Sequence, residues 1–194
     1  MGFDEGAAGV IYFLLEYSNI YKDAVAFTAA RNGLQWLMRS VKVRNGQLTW
    51  RRADQKREIN YGFSSGVAGI AFTFLRAFQI SSNSVYANFA RKLLQGIPSK
   101  FTDNNLGQRS GLSGLGEVYL EAYHLLKEKV WLERATWIAQ VIFHLKKSGF
   151  NNSTYWLVES EREPVANFMT GTSGILHFLL RYCYPDTIKF PFIK

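Results

Sequence analysis

The sequence has a single cysteine, Cys183, and only three histidines, His124, His144 and His177. One thiol excludes an internal disulfide, and these four residues have none of the spacings of a closed zinc site. Proline is scarce too, at 4 residues, and charged residues make up 20% against 47% hydrophobic, which excludes a linker or a disordered tail. Long apolar runs are lacking. Those at 7–15 and 66–75 are about ten residues long, well short of the ~20 that a membrane-spanning helix needs. No basic segment leads into an apolar core at the start, so no secretory signal is read and the cytoplasm is the expected compartment. Acidic residues are outnumbered, 15 against 23 Lys and Arg, for a net charge of +8. That excess favours acidic partners through long-range steering, but neither a membrane nor a nucleic acid is the expected partner. The length of 194 residues suits one domain, 1–194, with a substantial core.

What the sequence does contain is a repeat. Gly6-Ala-Ala-Gly9, Gly66-Val-Ala-Gly69, Gly111-Leu-Ser-Gly114 and Gly171-Thr-Ser-Gly174 share one pattern, their first glycines spaced 60, 45 and 60 residues apart. Counting from that glycine, the second following position is Ala8, Ala68, Ser113 and Ser173, the fourth Val10, Ile70, Leu115 and Ile175, and the ninth Leu15, Leu75, Leu120 and Leu180. Each glycine pair leads into a stretch apolar nearly all round, followed by a charged residue: Glu16, Arg76, Glu121 or Arg181. Helices apolar on every side are buried ones. A second helix type, apolar on one stripe, follows the first three repeats, as in Leu34, Leu37 and Met38, in Tyr86, Ala90 and Leu93, and in Trp131, Ala135, Ile138 and Ile142. Asp23 and Ser84 are candidate N-caps for two of these outer helices. Repetition of a buried and an amphipathic helix builds two concentric layers, so the fold class is all-α, an α/α toroid.

The connections from outer helix back to glycine pair, 42–61, 98–110 and 148–170, are long and belong on the face where the inner helices begin. Function is expected at that mouth. Glycine there permits positive φ and close backbone approach, and would leave first-turn amides free as donors to an anion or a peptide carbonyl. Trp50 and Trp156 lie in these loops and either contact a peptide or pin the loops to the rim.

The segments Gly2-Phe-Asp-Glu-Gly-Ala-Ala-Gly9, Phe63-Ser-Ser-Gly-Val-Ala-Gly69, Arg109-Ser-Gly-Leu-Ser-Gly114 and Asn167-Phe-Met-Thr-Gly-Thr-Ser-Gly174 resemble the lanthionine synthetase C-like family across essentially the whole chain. That resemblance implies a toroid of seven helical hairpins, of which about four are here. It also implies a peptide cyclase, which adds a Cys thiol to a dehydrated Ser or Thr to form a thioether ring. Zinc-dependent members carry H-G, W-C-x-G and C-H-G around these glycines. Here Glu5 fills the first slot, Ser64 and Ser65 the second, and Arg109 and Ser110 the third. Since a hydroxyl or a guanidinium cannot replace a thiolate ligand, the resemblance is to zinc-free cyclase domains of class III synthetases, and no cofactor is implied. The partners implied are a precursor peptide and either kinase and lyase domains or the missing half of the toroid on another chain, with self-association through the open edges at Val10 to Leu15 and Ile175 to Leu180 as the other route. A peptide-binding or scaffold module of the same fold is the alternative function. An α/α-toroid glycosidase would need two carboxylates across the mouth, for which Glu5, Glu159, Glu161 and Glu163 are the only supply.

Without zinc, the thiol needs a base and the enolate formed by its addition needs an acid. Glu5 is a candidate base, Arg109 a candidate for stabilising thiolate or enolate oxygen, and His177 a candidate acid and base near the mouth end of its helix. Ser64, Ser65, Ser110 and Thr170 are candidate substrate contacts rather than nucleophiles, since no His/Asp partner spacing accompanies them. Arg51 and Arg52 stand in a 42–58 segment with six basic and two acidic residues, suited to an acidic leader segment. His124, His144 and Cys183 fall away from the mouth.

Overall fold

The computed structural model describes residues 1–44, 46–50, 59–100, 103, 105–158 and 163–192. Among them are seven helices of ten or more residues: α1 Ala7–Tyr21, α2 Ala24–Ser40, α3 Val67–Ser81, α4 Ser84–Gln95, α5 Leu112–Leu126, α6 Lys129–His144 and α7 Thr172–Cys183. They fall into two compact units, Met1–Pro98 with α1 to α4 and Ser99–Lys194 with α5 to α7. Each unit holds two copies of the glycine repeat. No helix among the described residues is long and apolar enough to cross a membrane.

The expected alternation of helix types is present. In α3, every residue from Val67 to Ala77 is buried, as is every residue from Leu112 to Ala122 in α5. The outer helices α2, α4 and α6 bury one stripe each, through Ala30, Leu34 and Leu37, through Tyr86, Ala90, Leu93 and Leu94, and through Trp131, Ala135, Ile138 and Ile142. The end helices of the repeat differ from α3 and α5. Val10, Phe13, Tyr17 and Ile20 form an exposed row on α1, and Leu176 and Leu180 are exposed on α7.

Asp23 caps α2 as expected, its carboxylate accepting from the amides of Val25 and Ala26. The cap of α4 is Asn83, which accepts from Val85, and Ser84 is the first helical residue. The inner helices run longer than the apolar pattern indicates, and the first three end on a residue in the left-handed region: Lys22, Ser82 and Lys127, with φ of 55°, 54° and 57°.

Two small hairpins that the sequence pattern does not announce interrupt the long connections. Strands β1 Lys42–Arg44 and β2 Gln47–Thr49 pair antiparallel with Val43 opposite Leu48, and β3 Lys147–Ser148 pairs with β4 Thr154–Tyr155. Each is tied to the preceding outer helix by an indole. Trp50 donates to the carbonyl of Leu37 at 2.8 Å, and Trp156 to that of Ile142 at 2.7 Å. Of the two roles open to these tryptophans, pinning is the one observed.

Candidate functional site

The glycine turns are closed on themselves. Ahead of α3, the amides of Val67 and Ala68 donate to the carbonyls of Asn60 and Tyr61. Ahead of α5, those of Leu112, Ser113 and Gly114 donate to Asn105, Leu106 and Gly107. Thr172 donates to Val165 ahead of α7. The expectation of free first-turn amides at the mouth is therefore corrected: a preceding loop carbonyl occupies these donors. The expected positive φ is also absent, because Gly6, Gly66, Gly111 and Gly171 all adopt φ between −145° and −105°. What requires glycine is close approach. A Cβ at Gly69 would overlap the carbonyl oxygen of Phe63, and one at Gly174 that of Phe168.

Equivalent turns are joined in the same way within each unit. Phe3 and Asp4 donate their amides to the carbonyl of Ser64 at 2.6 and 3.0 Å, and Arg109 donates its amide to Met169 at 2.8 Å. The first unit thereby brings Glu5 into the turn that meets Ser64 and Ser65. The second brings Arg109 and Ser110 to the turn that holds Thr170. Glu5 is exposed. Ser64 is buried, and its hydroxyl donates to Asp4 Oδ2 at 2.7 Å. Ser65 is exposed and its hydroxyl accepts from Asn60. The amide and hydroxyl of Thr170 both bond to Asn167 Oδ1, a turn-closing arrangement. Arg109 is exposed and Ser110 half-buried. Arg51, Arg52, Glu159 and Glu161 lie outside the described residues. His124, His144 and Cys183 are exposed at helix ends.

His177 stands in a cluster of charged partners. It sits in the second turn of α7, with Nδ1 2.8 Å from Glu117 Oε1. Glu117, on α5, is fully buried, whereas His177 keeps 20% of its side chain accessible. The second carboxylate oxygen of Glu117 accepts from Arg181 Nη1 at 2.7 Å, and Arg181 Nη2 in turn donates to Glu121 Oε2 at 2.6 Å. Gln108, from the turn before α5, donates Nε2 to Glu117 Oε1 at 3.2 Å and to the carbonyl of Gly174 at 2.7 Å. The ring of Phe168 meets that of His177 edge-on at 5.3 Å. Two carboxylates, one guanidinium and one imidazole thus share a largely buried cluster. Paired and hydrogen-bonded charges are the form in which ionised groups are tolerated in a protein interior.

Sequence reading picked out His177 and missed Glu117 and Gln108. A signal was available in the repeat columns. Six positions after the first glycine stand Tyr12, Phe72, Glu117 and His177, and three positions before it stand Phe3, Phe63, Gln108 and Phe168. The two ionisable residues share a column, sixty residues apart.

The family resemblance sets Glu5, Ser64, Arg109 and Ser110 in the slots that hold zinc in metal-dependent members. Their donors do not fit that ion: one carboxylate, two hydroxyls of which one already donates to Asp4, and a guanidinium that repels a cation. Among the described residues no group of three or more His, Cys, Asp or Glu side chains could hold a metal.

The sequence model of the lanthionine synthetase C-like proteins matches residues 1–194, and the chain belongs to that family. Thirteen solved chains match its structure. One of them, nisin cyclase, superposes with a TM-score of 0.74 at 20% identity, over 97% of this chain and 48% of its own. The likeness establishes the α/α-toroid fold class, and the chain spans about half the length of that relative. No curated protein matches the sequence.

Proposed function

We propose that this chain is a cyclase module for a dehydrated peptide, in which His177 moves the proton that thioether formation requires. The observation that carries this reading is the contact of a partly accessible imidazole with a fully buried carboxylate, 2.8 Å apart. Membership of the family and the likeness to nisin cyclase support a peptide as the substrate class. In the reaction, His177 accepts the proton of a cysteine S–H, and the thiolate adds to the β-carbon of a dehydroalanine or dehydrobutyrine. The C=C electron pair moves onto the α-carbon as an enolate, and the imidazolium returns the proton there. Atoms and charge balance without zinc or a redox partner. Arg109, a cation in an exposed turn, is proposed to stabilise the enolate oxygen. Glu5 is kept as the second candidate base. Ser65 on the first unit, and Ser110 and Thr170 on the second, are proposed as peptide contacts, with buried Ser64 supporting the turn that presents Ser65, and Arg51 and Arg52 as contacts for an acidic leader. The closing partner of the module, a further toroid segment or a second copy, is proposed to cover the exposed rows on α1 and α7.

The test uses a synthetic peptide carrying one dehydroalanine and one cysteine, with free thiol followed by alkylation and mass spectrometry. Ring closure faster than in buffer, lost by about a hundredfold or more in His177→Asn, is the expected result. Peptide binding with no acceleration would replace this reading by that of a scaffold module, which the turn-bound state of Ser64 and Thr170 favours.

A further inference from the structure

The two units fill one set of repeat positions in opposite ways. In the first, Phe3, Tyr12, Phe63 and Phe72 pack ring on ring, Phe3 to Phe63 at 4.6 Å and Tyr12 to Phe72 at 5.4 Å. In the second, the same columns hold Gln108, Glu117, Phe168 and His177, with Glu117 and His177 in the places of Tyr12 and Phe72. The fold therefore has an apolar solution at these positions, and the second unit does not use it. A buried ion cluster is often no more stabilising than apolar residues of similar volume, so packing alone does not account for the exchange.

Resting on the assignment of proton transfer to His177, we infer that Glu117 is a positioning residue that holds the neutral imidazole in its Nδ1–H tautomer and reserves Nε2 for the reacting proton. Three contacts fix the carboxylate. Arg181 Nη1 takes one oxygen, His177 Nδ1 and Gln108 Nε2 share the other, and Arg181 is itself held by Glu121. An ionised carboxylate has no proton to offer, so the shared hydrogen must come from Nδ1. Gln108 sets the geometry a second time. Its Nε2 bridges Glu117 and the Gly174 carbonyl, tying α7 to the turn before α5. The orientation of this amide follows, because both neighbours of Nε2 are acceptors. Its Oε1 is buried without a hydrogen-bond partner among the described residues.

The experiment is long-range 1H–15N NMR on the uniformly labelled chain, above the pH at which its histidines are neutral, with the His177 signals assigned by their loss in His177→Asn. An Nδ1–H pattern for His177 is expected. An Nε2–H pattern in the folded wild type would overturn the inference, and this spectrum decides even where variants fail to fold. Glu117→Gln supplies the second reading. Arg181 cannot accept a hydrogen bond, so the new amide turns its oxygen to the guanidinium and its NH2 to His177 Nδ1, which then becomes the acceptor. The Gln108 amide that donates to the same oxygen in the wild type rotates to present its Oε1 and gives up its bond to Gly174. The tautomer should invert to Nε2–H, and the ring-closure rate should fall at least tenfold with binding of the dehydrated peptide unchanged. A folded Glu117→Gln that keeps the Nδ1–H pattern or the wild-type rate would refute the role. The two assignments fail separately. Full activity in His177→Asn removes proton transfer from His177, whereas an Nε2–H wild type with an inactive His177→Asn removes only the positioning role of Glu117.

Discussion

Arg76 closes a two-pronged ion pair on Glu16, sixty residues earlier, with Nε on one carboxylate oxygen and Nη2 on the other at 3.0 Å. Ten positions into the repeat, each unit sets a glutamate of its first inner helix against an arginine of its second, and Glu121 with Arg181 is the other instance. Arg76 is 6% exposed and Glu16 18%, so the cation depends on its partner more than the anion does. Glu16→Leu should cost about 3 kcal/mol in urea unfolding because it takes the carboxylate from a buried guanidinium and leaves it with neutral Gln79, which still accepts from Nη1, and Glu16→Leu with Arg76→Met should recover most of that loss. A double variant no more stable than the single would show that the pair is not the source of the cost.

Gly174→Ala should destabilise by about 3 kcal/mol or more, although alanine favours a helix over glycine by up to ~1 kcal/mol. The methyl would be driven into the carbonyl oxygen of Phe168, a backbone atom rather than the yielding end of a side chain. Gly46→Ala is the control, with open space around the position and a φ of 76° as the only obstacle, for a cost of about 1 kcal/mol. Equal losses at the two positions, read by thermal melting, would contradict the close-approach argument.

Lys127→Gly should stabilise the fold. Lys127 ends α5 at φ 57°, ψ 25°, donating its amide to Tyr123, in a conformation that suits glycine and strains other residues by about 1 kcal/mol. A rise in melting temperature of about 2–4 °C is expected for a chain of this size, and a fall would show that the lysine side chain makes a compensating contact.

Alkaline pH should weaken the fold through Tyr119. Burial raises the pKa of its phenol above 10.0, against the opposing charge and hydrogen bond of Arg134, and burial raises Tyr86 in the same direction. As pH passes about 10, the unfolded chain loses these protons first, so stability is full below that value and falls above it, toward the raised native pKa. Tyr119→Phe should flatten the decline measured by urea midpoints between about pH 9 and 11. An unchanged slope would place the effect elsewhere.

Most of the fold was legible because the repeat columns encode it. Helix type, order and the buried positions of α3 and α5 all follow from glycine spacing and from apolar runs with no polar face. The hairpins were not legible, since β1 and β3 are three and two residues long, too short to establish a period, and are held by indoles reaching back thirteen or fourteen residues. Nor were the left-handed helix ends, where Lys22, Ser82 and Lys127 stand in the place usually taken by glycine. Of the site, His177 could be nominated from its place in the helix, but Gln108 reads as an ordinary loop residue and Glu117 as a break in an apolar run. Their meaning appears only when the columns of neighbouring repeats are laid across from one another, and that is tertiary information.

The alternation of Glu16, Arg76, Glu121 and Arg181 also limits how such a chain can gain or lose copies of its repeat. Removing one copy, the Gly66 repeat for instance, would make Glu16 and Glu121 successive in this column, two anions and no guanidinium between them. Removing the Gly66 and Gly111 repeats together would leave Glu16 followed by Arg181, opposite in sign as before. Two successive repeats, such as the span of 105 residues from Gly6 to Gly111, carry one residue of each sign in this column, so the alternation survives a change of copy number by two and not by one.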